Sequence, residues 1–163
     1  MHPMNTSSLS LRRLAVFTTL LCTVASVLAS GVEAADAMDW PHWRGPNHDG
    51  VSVEKGLPAE WSEEKNVAWK LPLPGGSSAT PVVWGGKIFL MAQDEKQISL
   101  LCVSTAGKLL WTSKVAESRG KAKGEKSFAS PSPSTDGRLA FTMTGMGEVV
   151  AFTFDGMEAW RFN

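Results

Sequence analysis

The sequence predicts an all-β protein assembled from repeated four-stranded units, and three features of the chain carry that prediction. A ten-residue stretch occurs twice, 49 positions apart: Cys102-Val-Ser-Thr-Ala-Gly-Lys-Leu-Leu-Trp111 and Ala151-Phe-Thr-Phe-Asp-Gly-Met-Glu-Ala-Trp160. Upstream, Thr80-Pro-Val-Val-Trp-Gly-Gly-Lys-Ile-Phe-Leu90 has a counterpart in Ser132-Pro-Ser-Thr-Asp-Gly-Arg-Leu-Ala-Phe-Thr142, with prolines 52 apart. Short apolar runs alternate with turn residues throughout, and no long stretch has a helical period. A repeat of about 40 to 50 residues is the length of one blade-like unit.

Composition sets the outer limits. The 163 residues are 43% hydrophobic and 20% charged, with 16 Lys and Arg against 16 Asp and Glu, as in an ordinary folded domain. A net charge of zero and no basic tract interleaved with aromatics exclude a groove that follows nucleic-acid phosphates.

The first element is a leader. Arg12-Arg13, a nearly uncharged run from Leu14 to Leu28 and the small residues around Val32-Glu-Ala34 and Ala35-Asp-Ala37 follow the three regions of a secretory signal peptide, assigned to 1–37. A membrane anchor is the alternative, but a span needs about 20 apolar residues, and this run is shorter. Cys22 follows Thr19-Leu20-Leu21 and not the small residues of a lipid-attachment site. Export with cleavage leaves Cys102 as the sole cysteine, so no internal disulfide is expected, and its apolar strand makes it a small buried hydrophobe. The expected location is periplasmic or extracellular, with no transmembrane span after cleavage.

Residues 38–65 read as an irregular strap broken by Pro41, Pro46, Pro58 and several glycines. Asn66 to Leu71 reads as a first strand. The strands that follow are Ala79 to Trp84, a Gly85-Gly86 turn, Lys87 to Ala92, a polar turn at 93–96, Ile98 to Ser104, a turn at Ala106-Gly107, and Leu109 to Ser113. Lys114 to Ser130 reads as a solvated inter-blade loop, with Arg119, Lys121, Lys123 and Lys126 against Glu117 and Glu125. The second unit runs Arg138 to Met143, a Gly145-Met-Gly147 turn, Val149 to Phe154, an Asp155-Gly156 turn, and Met157 to Phe162.

Trp69, Trp111 and Trp160 fall at equivalent outer-strand places, the last two four residues after Gly107 and Gly156. An indole at that position can bury about 150–250 Å² against the next unit, and a glycine removes the Cβ that would block an approaching ring. These five residues are the expected inter-blade docking set.

With the Gly-x-x-x-Trp endings in place, residues 38–163 resemble the pyrroloquinoline quinone (PQQ)-binding-like, or quinoprotein alcohol dehydrogenase-like, β-propeller repeat family. The opening Trp40-Pro-His-Trp-Arg-Gly-Pro-Asn-His-Asp-Gly50, then Leu57-Pro-Ala-Glu-Trp61 and Val67-Ala-Trp-Lys70, is similar to the start of its exported members. The resemblance implies a quinoprotein-like β-propeller of about two antiparallel four-stranded blades, a strap whose Trp40 and Trp43 anchor to the blades, and a closing strand at Asn66 to Leu71. Rings of this kind have about 4–8 blades, so it also implies the N-terminal portion of a longer protein or an open protomer that closes with copies of itself.

Three functions follow as expectations. The first is an exported binding or scaffolding module whose partner is the remaining propeller blades or another protein, an enzymatic role being left open. The second, implied by the resemblance alone, is part of a dehydrogenase that oxidises alcohols or sugars with PQQ and Ca²⁺; the adjacent cysteine pair common in such enzymes is missing. The third is capture of a polyanion or carbohydrate by Lys121, Lys123 and Lys126. No catalytic residue or metal ligand is expected. His42, Arg44, His48 and Asp49 fit no single face, Asp94-Glu95 offers too few oxygens for calcium, Ser77-Ser78 and Ser130-Pro-Ser-Pro133 have no nearby histidine base, and Gly145-Met-Gly147 precedes no helix.

Overall fold

A computed structural model describes residues 39–120 and 127–163. Among them there are eight strands and no helix: β1 Val82–Trp84, β2 Lys87–Gln93, β3 Gln97–Ser104, β4 Leu109–Glu117, β5 Ser134–Thr135, β6 Leu139–Met143, β7 Val149–Thr153 and β8 Glu158–Phe162. They form two four-stranded antiparallel meanders, β1-β2-β3-β4 and β5-β6-β7-β8. The predicted signal peptide at 1–37 lies outside the described residues, and no described helix is long and apolar enough to cross a membrane.

Turn chemistry fixes the register. Gly85 and Gly86 both have positive φ, 54° and 74°, as a two-residue hairpin loop matched to strand twist requires. The β3–β4 and β7–β8 loops are copies of one another. Ser104 N–H donates to Lys108 O at 2.9 Å and Gly107 N–H to Ser104 O at 2.8 Å; Thr153 N–H donates to Met157 O at 2.8 Å and Gly156 N–H to Thr153 O at 2.9 Å. Both ladders pair the tryptophan with the same strand position, Cys102↔Trp111 and Ala151↔Trp160, and both shift register at the next residue. A bulge there bends the hairpin and re-aims its tip.

The two sheets share one core. Val82, Phe89, Met91, Leu100 and Cys102 from the first pack with Ala140, Val150 and Phe152 from the second, and the Phe89 and Phe154 rings meet at 4.9 Å and 51°. β3 is buried on both faces from Ile98 to Val103, which is why its apolar run is continuous and not alternating. Burial pushes the Cys102 thiol up to about 11, with Lys87 acting weakly against it.

Four expectations are corrected. Asn66 to Leu71 is not a strand: no described segment pairs with it, and a strand exists only through its ladder. β4 continues to Glu117, through the start of the supposed 114–130 loop, because Lys114, Ala116 and Glu117 still pair with β3. The far end of that loop is built into the protein, with Ala129 fully buried and Phe128 N–H donating to Gln93 Oε1 at 2.6 Å. Trp43 is not an anchor. Gly45 N–H donates to His42 O at 2.8 Å, and the turn leaves Trp43 at its tip, 65% exposed, with Arg44 over its ring at 5.7 Å.

Trp40 does hold the strap. It exchanges both backbone hydrogen bonds with Val83 of β1, at 2.8 and 2.9 Å, and Pro41 O accepts from Thr135 N–H of β5 at 2.9 Å. Residues 39–41 thereby cross the first strand of each sheet. Asp39 Oδ1 adds a bond from Gly85 N–H at 2.9 Å.

Candidate docking site

The sheets are joined by an indole laid on a glycine. Trp111, on β4, covers Gly156 in the β7–β8 loop so closely that a Cβ there would sit 2.8 Å from the ring. Its Nε1–H donates to Phe154 O at 2.9 Å, and Ser113 Oγ donates to Gly156 O at 2.6 Å. Gly156 has φ 84°, so both the backbone and the ring demand glycine.

The same joint recurs one unit earlier. Trp69 lies over Gly107 (φ 82°), where a Cβ would come within 2.5 Å of the ring. Its Nε1–H donates to Thr105 O at 2.9 Å. In each case the accepting carbonyl is two residues before the glycine, so ring, glycine and acceptor form one unit of recognition. Trp69 brings this contact from a segment without strand pairing and remains 39% exposed. Trp160 is the third tryptophan of the series. It packs beside Phe141 at 6.1 Å and 40°, as Trp111 packs beside Phe89 at 6.0 Å and 47°. None of the described glycines is capped by it, and it is 44% exposed.

Direct polar links also tie the two repeat units together, one between strands and two between the segments that lead into them. Arg161 Nη1 donates to Val115 O at 2.6 Å, Ser77 Oγ to Ala129 O at 2.9 Å, and Thr80 N–H to Ser132 Oγ at 2.9 Å. The hydroxyls of Ser77, Ser130 and Ser132 are thus spent on structure; Ser130 Oγ donates to Ser127 O at 2.5 Å.

No protein-family model matches this chain, and no curated protein matches it.

The remaining candidates do not converge. His42 and His48 stack at 3.8 Å and 14°, a face-to-face arrangement that cannot aim two nitrogens at one ion. Burial, and then the neighbouring His48, lower the His42 pKa, and its Nδ1 is buried without a hydrogen-bond partner. Asp49 Oδ1 accepts from Val51 N–H at 2.9 Å in a local turn. Asp94 accepts from Lys96 and Gln97 N–H at 2.7 and 2.8 Å, which holds its carboxyl below the usual range. Among the described residues no three His, Cys, Asp or Glu side chains are grouped to hold a metal. Gly145 N–H donates to Phe128 O at 2.8 Å, so the 145–147 turn is a structural contact. Lys121, Lys123 and Lys126 lie outside the described residues.

Several residues that matter were not singled out from sequence. Trp84 lies over Gly137 (φ 84°) at the β5–β6 turn, with a Cβ there only 2.5 Å from its ring, a second inter-sheet joint signalled by the Asp136-Gly137 turn. Gln93 uses its whole side-chain amide: Nε2 donates to Ser118 Oγ at 2.9 Å and Gly120 O at 2.8 Å, while Oε1 accepts from Ser127 Oγ at 2.9 Å and Phe128 N–H at 2.6 Å. It ties both ends of the 118–127 connection to β2. Gly75 meets the same residue: a Cβ there would fall 1.8 Å from Gln93 O.

Proposed function

We propose that this chain is an exported segment of a quinoprotein-like β-propeller and serves as a binding or scaffolding module. Its working surface is the outward face of the second sheet, where Trp160 is poised to cap a glycine turn on the next sheet of a partner. The observation that supports this reading is the repetition of one joint at Trp69–Gly107 and Trp111–Gly156, with Trp160 prepared in the same way by Phe141 and left exposed. Two consecutive meanders of identical strand order, one face of the first packed against the opposite face of the second, are what a propeller repeats around its axis.

The test compares two equivalent tryptophans by urea unfolding at low protein concentration. Trp111→Ala should cost about 3–5 kcal/mol, the range for removing a packed aromatic. Trp160→Ala should cost less, about 1–2 kcal/mol, since its ring keeps Phe141 as a neighbour but caps none of the described glycines and is 44% exposed. Equal costs would show Trp160 to be core and would remove the docking face. Export is checked by fractionation, expecting a mature chain that begins near Met38.

A further inference from the structure

We infer that the strap is an acid-released latch: protons on the stacked His42 and His48 rings open the 42–50 turn and lift residues 39–41 off β1 and β5. Geometry carries the inference. The two imidazoles lie face to face at 3.8 Å and 14°, so two added charges would meet at stacking distance, where like charges repel. His42 Nδ1 is buried with no hydrogen-bond partner, and a proton there would need an acceptor that the closed turn does not offer. Desolvation of that ring, and then the charge of His48, accordingly lower the His42 pKa. Opening the turn returns both rings to water.

The same turn seats the strap. Trp40, which pairs with Val83, lays its ring on Gly45 so closely that a Cβ there would stand 2.7 Å away, and Gly45 N–H donates to His42 O at 2.8 Å. Two further bonds close the turn, His48 N–H to Gly45 O at 3.1 Å and Gly50 N–H to Arg44 O at 2.9 Å. His48 is held at φ 58°, a conformation that few residues other than glycine adopt. Pro41, whose carbonyl accepts from Thr135 N–H, adjoins His42, so charge on the pair acts on the ring seat and on both sheet contacts together. Neighbouring carboxylates are already engaged. Asp49 takes Val51 N–H and Asp39 takes Gly85 N–H, while Arg44, a further cation of the turn, rests on the Trp43 ring. β1 and β5 carry no ionisable side chain. Lys87, beyond β1, sits over the Phe154 ring, and Asp136, beyond β5, accepts from Arg138 and Leu139 N–H.

Amide hydrogen exchange followed by NMR at about pH 7 and about pH 5.5, expressed as protection relative to the intrinsic rate at each pH, tests the latch. A proton taken up only by the open turn favours opening up to about tenfold per pH unit below about 6.5. Protection at the Trp40, Val83 and Thr135 amides should therefore fall about three- to tenfold, while that at Cys102 and Phe152 holds. His42→Phe combined with His48→Asn removes both titrating rings, and Asn tolerates the left-handed backbone at 48; its three strap amides should be equally protected at both pH values. Unchanged wild-type protection overturns the latch, as does an equal loss at Cys102 and Phe152, which marks unfolding of the whole molecule. A loss that persists in the double variant overturns it too. Should that variant not fold, the wild-type profile decides: the loss must follow the His42 ring titration read from its Hε1 signal, and a midpoint near about pH 4, where carboxylates titrate, refutes the histidines.

Discussion

Replacing Gly156 by alanine isolates what a single joint contributes. Two costs add at this position. The backbone sits at φ 84°, where an L residue loses roughly 1–2 kcal/mol. The new methyl carbon would also stand 2.8 Å from Trp111 Cδ2 and 3.1 Å from both Trp111 Cε3 and Ser113 Oγ, well inside contact distance, so the ring must lift. Lifting it forfeits the Nε1–H bond to Phe154 O, worth about 1 kcal/mol, and part of the about 3–5 kcal/mol that a packed aromatic supplies. Gly147→Ala is the control. Gly147 also has positive φ, 102°, but nothing lies within 4 Å of its would-be Cβ, so it incurs the backbone cost alone. Urea unfolding followed by circular dichroism should therefore give about 3–4 kcal/mol for Gly156→Ala against about 1–2 kcal/mol for Gly147→Ala, with unchanged denaturant slopes. Equal losses would mean that Trp111 contributes nothing through its glycine seat, and the account of the joint would fail.

Gln93→Leu should cost about 2–3 kcal/mol, because it strands the Ser127 hydroxyl and the Phe128 N–H together; hydrogen exchange at the Phe128 amide should speed up, and unchanged exchange would contradict the latch. Stability should fall in two acid windows. His42 is held below its ordinary 6.5 by burial and then by His48, so below about pH 6.5 the unfolded chain takes up a proton that the folded one refuses, and stability declines as pH drops toward the folded value. His42→Phe should flatten that limb. The contribution of Asp94, held below its ordinary 3.8 by backbone donors, is complete above that value and is lost as pH falls below it. A stability curve flat from pH 7 to 5 would refute the histidine part.

The strands were legible because turn glycines and apolar alternation are local signals. Gly85-Gly86, Gly107 and Gly156 mark hairpins that form as read, and the two tryptophans at the ends of the repeats fall on β4 and β8. What misled was pairing. Val67 and Trp69 alternate like a strand, yet no described strand pairs with them, while Lys114 to Glu117 looked like loop because an edge strand tolerates polar residues on its open side. The Gln93 latch was illegible for a different reason: its partners lie 25 to 35 residues away in sequence, and a glutamine at a strand end gives no sign of which distant amides it will meet. Trp84 over Gly137 could have been read from the repeat, since it is a further indole near a turn glycine of the next unit.

The strap has a bearing on the order in which this protein takes shape. Trp40 finds its partner Val83 some 43 residues downstream, but Pro41 O waits for Thr135, 94 residues away. On a ribosome adding about 5–20 residues per second, the strap therefore stays without its second latch for roughly 5–20 seconds. Val51, Val53, Leu57 and Trp61, exposed even in the finished fold, stay within reach of chaperones and the export machinery throughout that interval. The strap is made before either sheet and is fully fastened only once the second sheet has begun.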